Sequence, residues 1–500
     1  MDRVVNGLFV LALGLAALTW ATEPFRTIHL VLVYLLVAVV ACNQYDQRAN
    51  EGISMLFSIQ VAIAFGLGIV LLALSLGGLG VRVLEGVLVF SLVLAFVLVR
   101  DDLLAFARTN LAYLLAFSVV FGIFLGHSLG FVADSSLGLF PVYAGFVLAF
   151  NLFCLPRYVD DDAVLWSVAS VAGFFALLGL LVIVRGEFTW WLFEVRIWDG
   201  DASPWFVDRE LPVIRSVFAN PNTLGVLLFA GAVTAVAATL RTLRSGWPLL
   251  AILPAGLLAL NGLGLYFTDS RASILAAAVA VGVYVAAALD RRLLPVAGIS
   301  TAVIVPVLLL GIYVGVIPID PANRFELWRA GIEAVRTEGS WLGEGIVGTR
   351  GVIEPYLADG VGSYSVHNSY LSIFIRIGLL GGIAYLVLVL GPLVHGLVRY
   401  DRVNVAMFTL AVGFAIHQLF EGYTFYQFGP GSIVGALAVG YVISSLTPDG
   451  GLPVGTTAET ETNAPTEEQS DSNAGWPDAE PFGHLRNQYR RDADRHDDRP

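Results

Sequence analysis

"SVHNSYLSIFIRIGLLGGIAYLVLVLGPLVHGLV" occupies residues 365–398. From Ile377 to Val398 it is almost unbroken apolar sequence. A helix over that stretch rises roughly 33 Å at about 1.5 Å per residue, enough to cross the ~30 Å hydrocarbon core of a bilayer. Ahead of it stand His367, Asn368 and Arg376, which an ordinary membrane span would not carry. Further apolar runs fall at 5–21, 28–43, 54–77, 83–99, 109–126, 139–155, 164–184, 223–240, 248–267, 272–289, 293–316, 404–421 and 428–446. The chain is therefore predicted to be all-α and polytopic, with about 12–14 transmembrane helices.

Composition agrees. The 500 residues are 57% hydrophobic and 14% charged, where a soluble protein carries about a quarter charged. Lysine is absent, so all 28 basic residues are arginine against 40 acidic ones. The net charge is −12, and residues 447–500 hold 12 acidic residues and 5 arginines, a balance of −7. An acidic, lysine-free chain suits a halophilic archaeal proteome, and no nucleic-acid partner is expected. Cys42 and Cys154 both lie in predicted spans and read as small buried hydrophobes. Neither a disulfide framework nor a C-x-x-C metal pattern is available. Residues 1–21 read as an uncleaved first span.

Arginine placement orients the spans. With the N-terminus cytoplasmic, the inner loops take Arg3, Arg48, Arg100, Arg108, Arg157, Arg241, Arg244, Arg291, Arg292, Arg399 and Arg402, while the short outer loops take Arg26, Arg82 and Arg271. Both termini are then cytoplasmic. The outward apparatus comprises segment 185–222, the turn "TDSR" at 268–271 and a large loop at 317–366. The tail, 447–500, lacks the apolar content to fold alone and is expected to be disordered.

Four outward patches carry polar residues at membrane depth, where each needs a reason. "RSVFANPNTLG", 215–225, is either a cap for the following span or the wall of a pocket holding Arg215 and Asn222. In "FTDSRAS", 267–273, Ser270 is placed to cap a helix that begins at Arg271. That arginine either snorkels or holds an anion at the helix N-terminus. "NRFELWRAGIEAVRTEG", 323–339, places Phe325, Trp328, Ile332 and Val335 at helical spacing, predicting an amphipathic helix on the outer membrane surface. Arg324 and Trp328 share a face, in reach of stacking or of one ligand. The fourth patch holds His367 and Arg376, with Glu421 and Asp269 as partners for Arg376. Arginines with one histidine on one face suit a phosphate-bearing leaving group beside a general base.

"WDGD", 198–201, with Asp208 and Glu210, offers a D-x-D pair for a divalent ion, but acidic loops in an acidic proteome are usually solvated, and no metal or cofactor is expected. "DDD", 160–162, reads as a solvated turn. "GEGIVGTRG", 343–351, lacks the Lys-Ser/Thr of a P-loop.

The ordered set "FANPNTLG", "TDSRASILA", "RFELWRAGIEAV…WLGEGIVG" and "HNSYLSIFIRIGLLGGIAYL" resembles the C-terminal signature of the O-antigen ligase and polymerase superfamily, over residues 215–400. The resemblance implies a GT-C-like membrane domain over 1–446. It implies glycan transfer from a polyprenyl- or dolichyl-(di)phosphate carrier to an acceptor hydroxyl on a glycan or lipid, on the outer face and without metal. His367 would activate the hydroxyl, and Arg271 and Arg324 would bind the diphosphate, with Arg215 a weaker candidate. Asn368, Trp328, Arg376, Glu421 and Asn222 are supporting candidates. A transporter or flippase for lipid-linked glycan is the alternative, using the same arginines without a base.

Overall fold

A computed structural model describes residues 108–130, 144–145, 148–190, 193–199, 212–317, 323–345, 348–358, 365–427 and 429–447. The spans expected at 5–21, 28–43, 54–77 and 83–99 lie outside the described residues, as do Cys42, Asp201, Asp208, Glu210 and the tail beyond Thr447.

Ten helices are labelled here: α1 (Leu111–Ser128), α2 (Asp161–Arg185), α3 (Pro221–Arg244), α4 (Ile252–Phe267), α5 (Arg271–Leu289), α6 (Leu293–Tyr313), α7 (Arg324–Glu338), α8 (Ser369–Val398), α9 (Val405–His417) and α10 (Pro430–Leu446). Among the described residues, α1, α2, α3, α5, α6 and α8 are long and apolar enough to cross a membrane. The expected polytopic helical class is what the chain adopts. Helix starts follow side-chain chemistry. Asn220, Asn368 and Asn404 accept from the backbone N–H groups of Thr223, Leu371 and Met407 at 2.8, 3.0 and 3.2 Å, closing donors that the first turn leaves open.

Helix α3 is the centre of the bundle. It packs against α2, α4, α5, α9 and α10, and a helix apolar on every face is stable only when enclosed this way. A buried amide ties two of its neighbours, Asn261 Nδ2 donating to the Ala169 carbonyl at 3.1 Å. At one end of the bundle Arg241 meets Asp161 and Asp162 at 2.7 and 2.6 Å, and Asn404 donates to Asp161 at 2.7 Å. The acidic triplet read as a solvated turn is thus in part a clamp joining α2, α3 and the start of α9. Charge pairing across 80 residues outcompetes hydration there.

Segment 185–222, expected as loop, contains three short antiparallel strands: β1 (Phe188–Trp190), β2 (Phe193–Trp198) and β3 (Val213–Ser216), in that order. The alternation in "FEVRIW" buries Phe193 and Val195 and exposes Glu194, the period-two pattern of a half-covered strand.

Helix α8 is broken. Ile377 and Gly378 leave helical geometry, Gly378 at φ 71° and ψ −171°. The segment "SWLGEG", 340–345, inserts at the break. Glu344 and Gly345 N–H groups donate to the Ile375 and Arg376 carbonyls at 2.9 and 3.0 Å. Leu379 and Leu380 N–H groups donate to the Ser340 and Trp341 carbonyls at 3.1 and 3.2 Å. Groups orphaned by the break are therefore paired, as backbone at membrane depth must be. Gly343 and Gly378 interlock so closely that a Cβ on Gly378 would lie 2.4 Å from Gly343 N.

Helix α7 is amphipathic, as expected, and small residues dominate its inward face. Leu327, Ala330, Gly331 and Ala334 form its buried face, and Leu327, Ala330 and Ala334 join a cluster with Ile353, Val366 and Ile375. Ile332, part of the apolar stripe read from the sequence, is 55% exposed. Small residues win the contact because they let α7 approach the first half of α8 closely.

Candidate functional site

Four backbone strains mark the site. Among the described residues, the non-glycine positions with positive φ are Ser216, Asp269, Asn323 and His367, at 54°, 50°, 60° and 43°. One falls in each of the four patches singled out in the sequence. Left-handed backbone costs a side-chain-bearing residue on the order of 1 kcal/mol and gathers where function fixes geometry.

Three ionisable side chains meet beyond the end of α9. Arg324, the first residue of α7, donates through Nη2 to Glu421 Oε1 at 2.9 Å and through Nη1 to the Phe420 carbonyl. Glu421 Oε2 lies 3.7 Å from His367 Nδ1, a contact longer than a hydrogen bond. Glu421 is nearly enclosed, at 12% side-chain exposure, while Arg324 and His367 keep 21% and 32%. Burial pushes the Glu421 carboxyl up, but the His367 ring, the Arg324 charge and the His417 ring outweigh it and hold it below the ordinary carboxylate range.

The polypeptide around His367 is sewn to the same turn. Asn368 Nδ2 donates to the Leu419 carbonyl at 3.0 Å, Ser369 N–H to the Gln418 carbonyl at 2.8 Å, and Ser369 Oγ to the Glu421 carbonyl at 2.6 Å. Tyr423 N–H then donates to Ser369 Oγ at 3.2 Å. "HNS" and "HQLFEG", 417–422, form one unit. Asn368 serves twice, capping α8 and fixing the turn that carries Glu421.

Arg271 comes to this end of the bundle through its neighbours. Ser270 Oγ lies 2.8 Å from Ser273 Oγ, and Ser273 Oγ lies 2.9 Å from His417 Nε2. Ser270 was expected to cap α5 with its side chain; its hydroxyl instead joins this buried relay. Gly225 of α3 makes room, since a Cβ there would lie 2.7 Å from Ser270 Cβ. The Glu421 N–H donates to the His417 carbonyl at 3.1 Å, joining the relay to the carboxylate's turn. Asp269, beside Arg271, has its carboxyl raised by burial despite that arginine's charge.

The remaining candidates separate. Arg215, on β3, donates to the Ile197, Phe218 and Ala219 carbonyls at 3.2, 3.3 and 3.3 Å, bracing the turn before Asn220. Asn222 is half-buried in the first turn of α3. Trp328, read as sharing a face with Arg324 for stacking or for one ligand, does not stack on it: its ring meets Phe325 and Phe420 at 5.5 and 5.8 Å, and the two residues share Phe420. Arg376 pairs with neither expected partner. Glu421 is committed to Arg324 and His367, and Arg376 forms no ion pair among the described residues. His417 and Ser273 escaped the sequence reading. The polar cluster "HQ" closing an apolar run was their visible signal.

Residues 255–386 match the O-antigen ligase family. The match takes in Arg271, Arg324, Trp328, His367, Asn368 and Arg376, and supports the O-antigen ligase superfamily. Arg215, Asn222 and Glu421 fall outside the matched residues. No curated protein matches the chain.

Proposed function

We propose, with the O-antigen ligase match as premise, that the chain is a membrane glycosyltransferase of polysaccharide biosynthesis. It takes an oligosaccharide from a polyprenyl- or dolichyl-(di)phosphate carrier and transfers it to an acceptor hydroxyl at the extracellular face. The observation that carries this reading is Glu421 held between Arg324 at 2.9 Å and His367 at 3.7 Å. A carboxylate beside one imidazole nitrogen orients the ring and stabilises its protonated form.

His367 Nδ1 faces Glu421, leaving Nε2 for the acceptor. The acceptor oxygen bonds to the anomeric carbon as its proton passes to Nε2. The bond from that carbon to the phosphate oxygen breaks, and the electron pair leaves with the diphosphate. One displacement inverts the anomeric carbon. Charge growing on the diphosphate is met by Arg324 and Arg271, whose planar forks match phosphate oxygens, so the scheme needs no metal. As the imidazolium forms, attraction draws it toward Glu421. Arg215 braces the neighbouring turn, and Asn368 holds His367 in register.

The test is transfer from a lipid-linked oligosaccharide by full-length protein. His367→Ala is expected to accumulate and melt like wild type while transfer falls at least a thousandfold, within the range of lost general-base catalysis and lost hydroxyl activation. Wild-type transfer by that variant would overturn the catalytic assignment.

A further inference from the structure

The Arg376 guanidinium stands at a level of the fold that can be located. Beyond the break, Leu379–Val398 is 20 residues of helix, rising about 30 Å and matching the ~30 Å hydrocarbon core. Surface exposure gives the same level independently. Leu379, Leu380, Ile383, Val387, Leu390, Val394 and Val398 are all exposed, forming one apolar stripe that begins immediately after the break. No apolar residue of α8 before the break is exposed. Trp341, whose carbonyl accepts from Leu380, is 68% exposed, and tryptophan settles at the membrane–water boundary. The break therefore marks the boundary on the side of His367, and Arg376 sits just outside it, at the depth of lipid phosphates.

Among the described residues Arg376 has no ion-pair partner. The carbonyls ending the first half of α8 are already capped by Glu344 and Gly345 N–H groups, so the arginine is not needed to close them. Its Nε is buried without a hydrogen-bond acceptor, while the residue as a whole is half-buried and reachable from outside. Neither Glu421 nor Glu344 pairs with it: Glu421 is held by Arg324 and His367, and Glu344 is exposed and makes no ion pair among the described residues.

We propose that Arg376, at the Ile377–Gly378 break and framed by Trp341, is a binding site for the phosphate group of a lipid. The guanidinium grips the phosphate through its planar fork, and the lipid chain runs along the stripe starting at Leu379. A bilayer phospholipid and an isoprenoid diphosphate present the same chemistry, and the experiment separates them. The bilayer-lipid outcome rests on no part of the proposed transfer reaction, whereas the isoprenoid outcome rests on it and places the donor's carrier at this site.

Full-length protein in detergent is titrated with dioctanoyl phosphatidylglycerol and with geranylgeranyl diphosphate, and bound molecules are counted by native mass spectrometry. Dioctanoylglycerol and geranylgeraniol, which keep the chains and lack the phosphate, serve as references. Arg376→Gln is expected to weaken at least one phosphate-bearing probe tenfold or more and to leave both references unchanged. Weakening confined to phosphatidylglycerol assigns a bilayer lipid, and weakening confined to the diphosphate assigns an isoprenoid carrier. Should Arg376→Gln not accumulate, Arg376→Lys is read instead, with a loss of threefold or more expected from the missing fork. Changes below threefold for both phosphate probes, or equal losses for the references, overturn the site.

Discussion

Replacing Glu421 by glutamine tests the centre of the arrangement, because it removes one charge and keeps the shape. The amide oxygen still accepts from Arg324 Nη2, now at 2.9 Å from a neutral partner. What disappears is the carboxylate 3.7 Å from His367 Nδ1. A unit charge at that distance is worth about 4.5 kcal/mol at an effective dielectric of about 20. Arg324 already neutralises part of it, and His367 is 32% exposed, so roughly half survives screening. An imidazolium formed during transfer then loses about 2 kcal/mol, or roughly 30-fold in kcat at 1.36 kcal/mol per decade. The assay is steady-state transfer from a lipid-linked oligosaccharide by purified Glu421→Gln and wild type, with melting curves beside it. KM for the donor should move little, since the arginine fork is intact. A kcat within twofold of wild type in a variant that melts normally would refute a functional role for the Glu421–His367 pair.

The same carboxylate predicts an acid limb. Glu421 lies below its ordinary value of 4.5, so it binds fewer protons folded than unfolded. Its stabilisation is complete above about that value and is lost as pH falls through the lower folded one. Melting temperatures from pH 6 down to pH 3 should fall more steeply for wild type than for Glu421→Gln; parallel curves would count against the pairing. The interlock at the break predicts that Gly378→Ala costs about 4 kcal/mol, combining a glycine-only backbone with a Cβ 2.4 Å from Gly343 N. Gly256→Ala in α4, with nothing within 4 Å of its Cβ, should be neutral or up to about 1 kcal/mol stabilising. Equal melting temperatures for the two glycine variants would show that the break is not strained.

Where sequence reading succeeded, the cause is local. Spans were legible because an apolar run must bury its backbone within itself in lipid: 164–184 and 272–289 correspond to α2 and α5. Asn220 and Asn368 were legible as polar residues beside such runs. Where it fell short, a distant competitor decided. Helix α7 turned its small residues inward because α8 was there to receive them. Asp161 became partly covered because Arg241 and Asn404 came within reach. Arg376 looked as if it needed Glu421, yet Arg324 and His367 hold that carboxylate.

By itself the sequence determined the membrane class, the approximate bounds of the described helices and the four polar patches, since each follows from composition within about twenty residues. The tertiary structure alone decided the pairings: Arg324 with Glu421 across 97 residues, Ser273 with His417 across 144, and segment 340–345 with the break in α8. Contacts of that span form only when separate helices converge at one end of a bundle, and no local pattern encodes which of several arginines will reach Glu421.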